Sequence, residues 1–378
     1  MKYSVTTYPP APQHPVRVLD GVLRYAPIGD LKLETGGVLP DVVLGYETWG
    51  ELNSDASNAV LVPHALTGST HVAQGSSDEP GWWDGLVGPG KTIDTDRFFV
   101  VSINMLGGCY GSTGPGSADP DGLPWGSRFP FVTIRDSVHA EARLADQLGI
   151  RRWHTVLGGS LGGARALEWA VTEPERVARC AVIAATAAST GEQIAFAQAQ
   201  VAAIRLDPDY NGGDYYNGRA PVAGLGLARR IAHITYRSEA ELQYRFGRTP
   251  QPGEDPLGAP LPAERGRYQV ESYLDHQGAK LAGRFDANSY VILTEALMSH
   301  DVTRGRGSLS EALAAVRAQF LVAAVDSDRL YFPEQSYELA AALPGENRVH
   351  LISAPIGHDG FLTDVLQLRD VLRKDFFG

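Results

Sequence analysis

Residues 154–171 read HTVLGGSLGGARALEWAV, and this stretch decides the fold. The apolar run His154–Leu157 predicts a strand, the glycines of Gly158–Gly163 predict a turn, and Ala164–Val171 predicts a helix that a nearby proline ends. Gly-x-Ser-x-Gly between a strand and a helix is typical of a nucleophile elbow, whose flanking glycines let strand and helix approach closely. Ser160 would then present its hydroxyl at a helix N-terminus, where backbone N–H groups stabilise negative charge.

Strands and helices alternate on both sides of this stretch. Short apolar runs, typical of strands buried on both faces, occur at Asn58–Pro63, Arg97–Ile103, Val177–Ala185, Ala318–Val325 and Arg348–Ile352. Helical patterns lie between Pro130 and Ile150, near Pro333–Leu343 and after His358. This alternation predicts an α/β fold with a mostly parallel central sheet and helices on both faces.

The alternation stops between about Ser189 and Gly307. This segment contains helical stretches and polar patches rich in glycine and proline, but no evident core strand. We therefore expect an inserted, mostly helical lid at 189–307, with the core formed by 1–188 and 308–378. Residues 1–40 hold many prolines and glycines, which predicts an arm or an early hairpin on the surface.

Composition limits the classes of partner. The 378 residues contain 33 Lys and Arg against 44 Asp and Glu, a net charge of −11. This acidity argues against nucleic acid or an anionic membrane as a partner, because both require a basic surface. Cys109 and Cys180 fit neither a disulfide framework nor a metal site, so we expect no metal. No secretory signal and no membrane-spanning run is evident, which favours a cytoplasmic location.

A serine nucleophile needs a base that an acid orients. With an elbow of this kind the chain order is serine, acid, histidine. Asp328 follows the predicted strand Ala318–Val325, and His358 follows the next strand. Both therefore lie at the edge of the sheet that carries Ser160. Asp326 lies two residues from Asp328 at the same strand end, and position alone does not separate the two.

An oxyanion hole requires two backbone N–H groups. The first should belong to Leu161, which follows the nucleophile. The second should come from the loop after an early strand, and in Pro63–Gly68 we choose Leu66. From spacing alone this loop is equally well explained as an ordinary connection.

Further motifs give the chain a resemblance to homoserine O-acetyltransferases. They read YETWG at 46–50, HALTGS at 64–69, GWWD at 81–84, GCYGSTGP at 108–115, GGSLGG at 158–163, YLDHQG at 273–278, RFDANSY at 284–290 and GHDGFL at 357–362. The match extends from about residue 40 to the C-terminus. It implies an α/β-hydrolase fold and a homodimer joined through the lid. It also implies that the protein transfers an acetyl group from the co-substrate acetyl-CoA to the hydroxyl of L-homoserine, a step of methionine biosynthesis. No permanently bound cofactor is implied.

The resemblance also implies substrate contacts. The family's arginine for the amino-acid carboxylate falls on Arg229, with Arg230 adjacent to it. Asp359, beside the histidine, matches the acid that meets the substrate ammonium group. Tyr236 and Thr67 resemble further residues that contact the substrate in this family. A guanidinium binds a carboxylate in a bidentate manner, and a carboxylate binds an ammonium group, so these roles are chemically coherent.

Two other points follow from the resemblance. The family's Ser-Asp pair falls on Ser327-Asp328, which favours Asp328 over Asp326. The chain departs from the family pattern in the return of the lid, which we expect to lie away from the triad, at Met298, Ser299 and Thr303.

Three rival functions remain open at this point. A serine hydrolase of the same fold would give the acyl group to water. A related transferase would use succinyl-CoA or a serine acceptor, and a succinyl donor needs an extra cation near the acyl pocket. A catalytically inactive binding protein is opposed by the complete set of Ser160, Asp328 and His358.

Overall fold

The computed structural model describes residues 20–378. Its first element is a hairpin in which β1 (Arg24–Lys32) pairs with the antiparallel strand β2 (Val38–Trp49). An early hairpin is therefore confirmed for the described part, but it extends to Trp49 and does not simply lie on the surface, because Leu31 and Leu39 are buried. The rest of that prediction, residues 1–19, lies outside the described residues.

The later strands are short and, apart from the last strand at the edge of the sheet, largely buried. They are β3 (Ala59–Leu61), β4 (Val87–Gly88), β5 (Ile93–Asp94), β6 (Phe99–Ile103), β7 (Thr155–Gly159), β8 (Arg179–Ile183), β9 (Gln319–Val325) and β10 (Val349–Ile352). The main sheet of the described chain has the order β1-β2-β6-β3-β7-β8-β9-β10, and β4 pairs only with β5. In this order, every pairing from β6 through β3, β7, β8 and β9 to β10 is parallel, which confirms a mostly parallel sheet.

The helices begin after β6. They are α1 (Ile134–Gln147), α2 (Leu161–Thr172), α3 (Gly191–Arg205), α4 (Val222–Tyr236), α5 (Glu239–Arg245), α6 (Gln269–Ala282), α7 (Ala287–Met298), α8 (Leu309–Leu313), α9 (Pro333–Ala342), α10 (Gly360–Thr363) and α11 (Val365–Leu372). Thr133 starts α1 in a reciprocal capping box with Asp136, which satisfies two N–H groups at the helix end. No helix within residues 20–378 has the length and apolar character needed to cross a membrane.

Alternate residues of the parallel strands pack into two separate apolar clusters. Val156, Val182 and Val322 join the cluster that contains α1, α2 and α9. The intervening side chains join the cluster that contains α11, and these are Leu157, Ala181, Ile183, Leu321 and Ala323. Because successive side chains of a strand point to opposite faces, the helices cover both faces of the sheet, as predicted.

The segment between β8 and β9 consists of helices and loops, with isolated β-bridges but no strand, in the described chain. The helices α3 to α7 all lie in this segment. The helices α3, α4, α6 and α7 pack on one another over a third apolar cluster, which includes Leu66 and Leu161. A Cβ atom on Gly278 would lie 2.8 Å from the Gly226 carbonyl oxygen, so glycines allow α4 and α6 to pack closely. The helical segment therefore covers the sheet edge at which β7 ends.

Candidate active site

Ser160 is the single residue between β7 and α2, and its φ of 58° and ψ of −125° lie in a strained region for a residue with a side chain. The predicted six-residue turn and the helix start at Ala164 are wrong, because β7 continues to Gly159 and α2 starts at Leu161. The reason is steric. A Cβ atom on Gly158 would lie 2.5 Å from the Gly162 carbonyl group, so only glycine permits so sharp a turn. This elbow holds Ser160 at the base of α2.

Asp328 and His358 form a buried pair beside this elbow. The His358 Nδ1 atom lies 2.7 Å from Asp328 Oδ2, and 3% and 0% of the two side chains are exposed. The other carboxylate oxygen accepts hydrogen bonds from the N–H groups of Leu330 at 2.8 Å and Tyr331 at 2.9 Å. Because a carboxylate only accepts, Nδ1 carries the proton and Nε2 keeps its lone pair.

The pKa of His358 is raised above its usual 6.5. Burial, the largest influence, would by itself lower this pKa because it disfavours the imidazolium. The carboxylates of Asp328 and Asp359 together outweigh it. The imidazole is therefore a stronger base than its buried position alone would allow.

Asp326 and Asp328 point in different directions, contrary to the expectation for an extended chain. After β9 the chain turns, and the N–H group of Asp328 donates to the Val325 carbonyl at 3.1 Å. Asp326 instead accepts hydrogen bonds from the Ser353 hydroxyl at 2.8 Å and the Ala354 N–H group at 3.1 Å. Asp326 thus supports the loop after β10, and Asp328 is the acid that contacts His358.

Ser160 and His358 share surroundings without a direct hydrogen bond. Ser160 lines a pocket together with Tyr236 and Tyr331. The rings of these tyrosines lie 5.7 and 5.2 Å from the His358 ring, measured between centroids. His358 Nε2 is buried and has no hydrogen-bond partner among residues 20–378. Catalytic hydrogen bonds are often long before substrate binds, so the free Nε2 suits a base next to a serine.

The N–H groups of Leu66 and Leu161 are both available near Ser160. Leu66 lines the serine pocket, and both residues are buried, with 8% and 0% of their surface exposed. Neither N–H group is hydrogen-bonded within the described part of the chain. Buried backbone N–H groups without a partner are rare. Two of them at one serine are suited to bind a developing oxyanion.

The four predicted substrate contacts lie together beside the imidazole. Arg229 donates from Nη1 to the Thr67 hydroxyl at 3.3 Å, and its guanidinium lies 5.4 Å from the Tyr236 ring centroid. The Asp359 N–H group donates to the Tyr236 carbonyl at 3.3 Å. A guanidinium and a carboxylate therefore flank His358, an arrangement that complements a zwitterion.

Arg237 is a charged residue of the site that the sequence analysis missed. Its guanidinium lies 3.2 Å from Asp359 Oδ2 and 3.6 Å from Glu241 Oε1. Burial raises the pKa of Asp359, and the positive charges of Arg237, His358 and Arg229 oppose this shift. The i, i+4 spacing of Arg237 and Glu241 could have predicted an ion pair between these two residues, but it does not point to Asp359.

Met298 corrects the expectation that the departures from the family pattern lie away from the triad. This residue lines the same pocket as Ser160, because α7 ends over the serine. Ser299 donates to the Ala296 carbonyl at 2.9 Å, and Thr303 donates to the Asp301 carboxylate at 2.7 Å. Ser299 thus caps the end of α7 and Thr303 stabilises the loop that follows it, whereas Met298 belongs to the pocket.

Within residues 20–378, no group of three or more His, Cys, Asp or Glu side chains could hold a metal ion. Both cysteines are unpaired, and burial raises the pKa of the Cys109 thiol to about 12 and that of Cys180 further. Neither thiol is therefore a nucleophile at neutral pH.

Comparison with known proteins agrees with this geometry. The family model for the alpha/beta hydrolase fold matches residues 58–365. The homoserine O-acetyltransferase of Thermobifida fusca is 57% identical over 91% of this chain and 90% of its own length. The chain belongs to the homoserine O-acetyltransferase family. This membership confirms the predicted α/β-hydrolase fold.

Solved structures place the family among related enzymes. The crystal structure of homoserine O-acetyltransferase from Bacillus anthracis matches with a TM-score of 0.87 and 29% identity, over 94% of this chain and 97% of that one. The crystal structure of esterase E22 matches with a TM-score of 0.85 and 27% identity, over 94% and 100%. The fold of the homoserine O-acetyltransferase family is thus shared with an enzyme named as an esterase.

Proposed function

We propose that this chain transfers an acetyl group from acetyl-CoA to the hydroxyl of L-homoserine through an acetylated Ser160. The observation that carries this proposal is the buried Asp328–His358 pair, joined at 2.7 Å beside a strained serine, in a chain of this family. The catalytic, oxyanion and substrate roles given below belong to the same proposal.

The first step acylates the serine. Ser160 Oγ attacks the thioester carbonyl carbon while its proton passes to His358 Nε2. The N–H groups of Leu66 and Leu161 hold the oxyanion of the tetrahedral intermediate. When this intermediate collapses, the C–S bond breaks and the proton on His358 passes to the CoA sulfur. Asp328 holds the imidazole in the productive tautomer and stabilises its cation.

The second step reverses the roles. His358 takes the proton of the homoserine hydroxyl, whose oxygen attacks the acetyl carbonyl of the acyl-enzyme. The second tetrahedral intermediate releases Ser160 Oγ, which takes its proton back from His358. Water must be kept from the acyl-enzyme for transfer to exceed hydrolysis, and the helices over the serine pocket exclude it.

The charged side chains beside the triad recognise the acceptor. Arg229 binds the homoserine carboxylate, with Thr67 and Tyr236 holding the guanidinium in place. Asp359 binds the ammonium group. Arg237 already contacts Asp359, so it positions the carboxylate before the substrate arrives, and its positive charge opposes the rise in the pKa of Asp359 that burial causes.

The pocket at Ser160 favours an acetyl donor over a succinyl donor. Its wall within the described chain has no Asp, Glu, Lys or Arg side chain, and includes Phe196, Leu297, Met298 and Leu330. A succinyl carboxylate would lose its hydration there without gaining a counter-ion, which is costly in an apolar site. A neutral acetyl group has no such cost.

Mass spectrometry of the intact protein tests this proposal. Mixing with acetyl-CoA should add one acetyl group, which peptide mapping locates on Ser160, and L-homoserine should remove it as O-acetylhomoserine. Ser160→Ala should remain unlabelled, whereas Ser336→Ala, a buried serine on α9, should be labelled like the wild type. Labelling of Ser160→Ala to the wild-type extent would refute the mechanism.

The same experiment separates the rival functions. A hydrolase would lose its acetyl group to water at the same rate with and without homoserine. A succinyltransferase would be labelled by succinyl-CoA in preference to acetyl-CoA. Either outcome would replace the proposed acetyl transfer.

We further propose a homodimer formed through residues 189–307, in the cytoplasm. Leu227 and Ile234, seven residues apart on the outer face of α4, are 48% and 41% exposed, and such apolar faces favour association. The unpaired thiols favour a reducing compartment. Analytical ultracentrifugation should give a dimer for the wild type and a monomer for Leu227→Asp/Ile234→Asp. A monomeric wild type would contradict the dimer.

A further inference from the structure

His64 is a fully buried histidine at the start of the oxyanion loop, here defined as residues 64–68, and it has no role in the mechanism above. Its Nδ1 atom lies 2.8 Å from the Ala65 carbonyl oxygen. Its Nε2 atom lies 3.0 Å from the Met105 N–H nitrogen and 3.1 Å from the Asn104 side-chain nitrogen. Both ring nitrogens are thus engaged inside the protein.

These contacts define the tautomer of His64. A backbone N–H group can only donate, so Nε2 accepts from Met105 and Nδ1 carries the proton. The Asn104 side-chain oxygen accepts from the N–H groups of Tyr110 at 3.0 Å and Ser112 at 3.4 Å, so the Asn104 amide turns its NH2 group towards His64. The Asn104 amide therefore reinforces the same tautomer.

His64 also stays uncharged. Burial and the nearby Arg165 guanidinium lower its pKa to about 3, against a smaller opposing effect of the Ala65 carbonyl. A proton on Nε2 would in addition face two donors that need an acceptor. The neutral Nδ1–H form is consequently fixed throughout the neutral pH range.

The Ala65 carbonyl, to which Nδ1 donates, belongs to the same peptide unit as the Leu66 N–H group. No cis peptide bond occurs in the described chain, and in a planar trans peptide the carbonyl and the N–H group point in opposite directions. The Gly68 N–H group also donates to the Ala65 carbonyl, at 2.8 Å. Holding this carbonyl therefore fixes the direction of the Leu66 N–H group.

We propose that His64 is a positioning residue of the oxyanion hole, whose neutral Nδ1–H group aims the Leu66 N–H group at the carbonyl oxygen of the acyl donor. This inference rests on the proposed acylation of Ser160. Asn104 and residues 108–115 act indirectly, because they hold the accepting nitrogen of His64, Nε2, in place.

The acylation rate constant tests this role. Stopped-flow measurement with p-nitrophenyl acetate reports attack by Ser160 and needs no homoserine. His64→Ala should lower this rate constant roughly 100-fold, the scale of losing one oxyanion donor. His64→Asn keeps an N–H donor near the position of Nδ1, so its acylation rate constant should be at least about a tenth of the wild-type value. The KM for homoserine should change less than twofold in both variants.

A matched control separates positioning from general structural damage. His154 also uses both ring nitrogens, at 2.9 Å from the Thr155 hydroxyl and 3.0 Å from Arg179, but it lies at the opposite end of β7 from Ser160. His154→Asn should leave the acylation rate within twofold of the wild type. If it slows acylation as much as His64→Ala at equal melting temperature, or if His64→Ala acylates within threefold of the wild type, the positioning role is refuted.

A second measurement does not depend on activity or on folded mutants. In ¹⁵N-labelled wild type, long-range ¹H–¹⁵N spectra should show His64 protonated at Nδ1 only, with no titration down to about pH 4. Protonation at Nε2 would overturn the inference. An enzyme that acylates Ser160 from the ester with the predicted His64 dependence, yet transfers nothing to homoserine, would refute the proposed function and leave the positioning role intact.

Discussion

Replacement of Asp328 by asparagine gives the sharpest test of the triad, because the structure dictates how the new amide must turn. Oδ1 of Asp328 accepts from two backbone N–H groups, those of Leu330 and Tyr331. The amide oxygen must keep these two bonds, so its NH2 group faces His358 Nδ1. The imidazole then has to accept at Nδ1 and carry its proton on Nε2, which is the wrong form for a base.

The expected loss is large and purely catalytic. A wrong tautomer of this kind lowers kcat about 10⁴-fold in a serine triad, or about 5.4 kcal/mol at about 1.36 kcal/mol for each factor of ten. Asparagine fills the same volume and satisfies the same backbone donors, so the melting temperature should change by only a few degrees. Transfer is measured as CoA thiol released from acetyl-CoA in the presence of homoserine.

Asp326→Asn is the matched control. Asp326 lies two residues away but accepts from Ser353 and Ala354, so its amide should leave kcat within about threefold of the wild type, since it contacts neither the base nor the serine. Asp328→Asn retaining more than a tenth of the wild-type kcat would refute the reasoning. So would an equal loss in both variants.

Three further predictions concern the acceptor site and the elbow. Arg229→Ala should raise the KM for homoserine roughly 30- to 160-fold, because it loses about 2–3 kcal/mol of charge-assisted hydrogen bonding. Arg230 is 45% exposed and paired with an acid of α6, so Arg230→Ala should change this KM less than twofold. Equal effects of the two substitutions in steady-state kinetics would contradict this prediction. Because the base must be unprotonated and the pKa of His358 is raised, kcat/KM should fall as the pH drops through a midpoint above 6.5. Asp359→Asn removes a carboxylate that raises this pKa, so the midpoint of this variant should move to lower pH. An unchanged or higher midpoint in its pH–rate profile would argue against the coupling between Asp359 and His358. Gly159→Ala would place a Cβ atom 2.3 Å from an aromatic ring and should lower stability by about 1–3 kcal/mol in urea unfolding, with Gly191→Ala, which has open space, as the control.

The sequence predicts the strands well because most of the parallel strands are buried on both faces and so form continuous apolar runs. The run Ala318–Val325, for example, becomes β9 at Gln319–Val325. The convergence of Ser160, Asp328 and His358 follows from the same rule, since parallel strands end at one edge of the sheet.

The parts that the sequence does not predict depend on how side chains hold local turns. The separation of Asp326 from Asp328 arises in a turn after β9, which the Asp328 carboxylate itself stabilises through two N–H groups. The contact of Arg237 with Asp359 joins the end of α4 to the loop after β10, across more than a hundred residues of chain. Neither feature leaves a periodic pattern, so neither can be read from spacing.

The end of α4 is fixed to the loop that carries the catalytic base. The Ser238 N–H group donates to the Ile356 carbonyl at 3.1 Å, and the Asp359 N–H group donates to the Tyr236 carbonyl at 3.3 Å. Gly357, with φ of 92°, permits this approach, because a Cβ atom there would lie 2.5 Å from the Ser238 nitrogen.

These contacts join acceptor recognition to catalysis. Arg229 lies on α4, two turns before the anchored end, so its position relative to His358 is set by one short helix and two backbone hydrogen bonds. If Arg229 binds the acceptor carboxylate as proposed, the acceptor is placed at a defined distance from His358. In the proposed mechanism one imidazole would then deprotonate first the serine and afterwards the acceptor hydroxyl without any movement of α4 relative to the loop that carries His358.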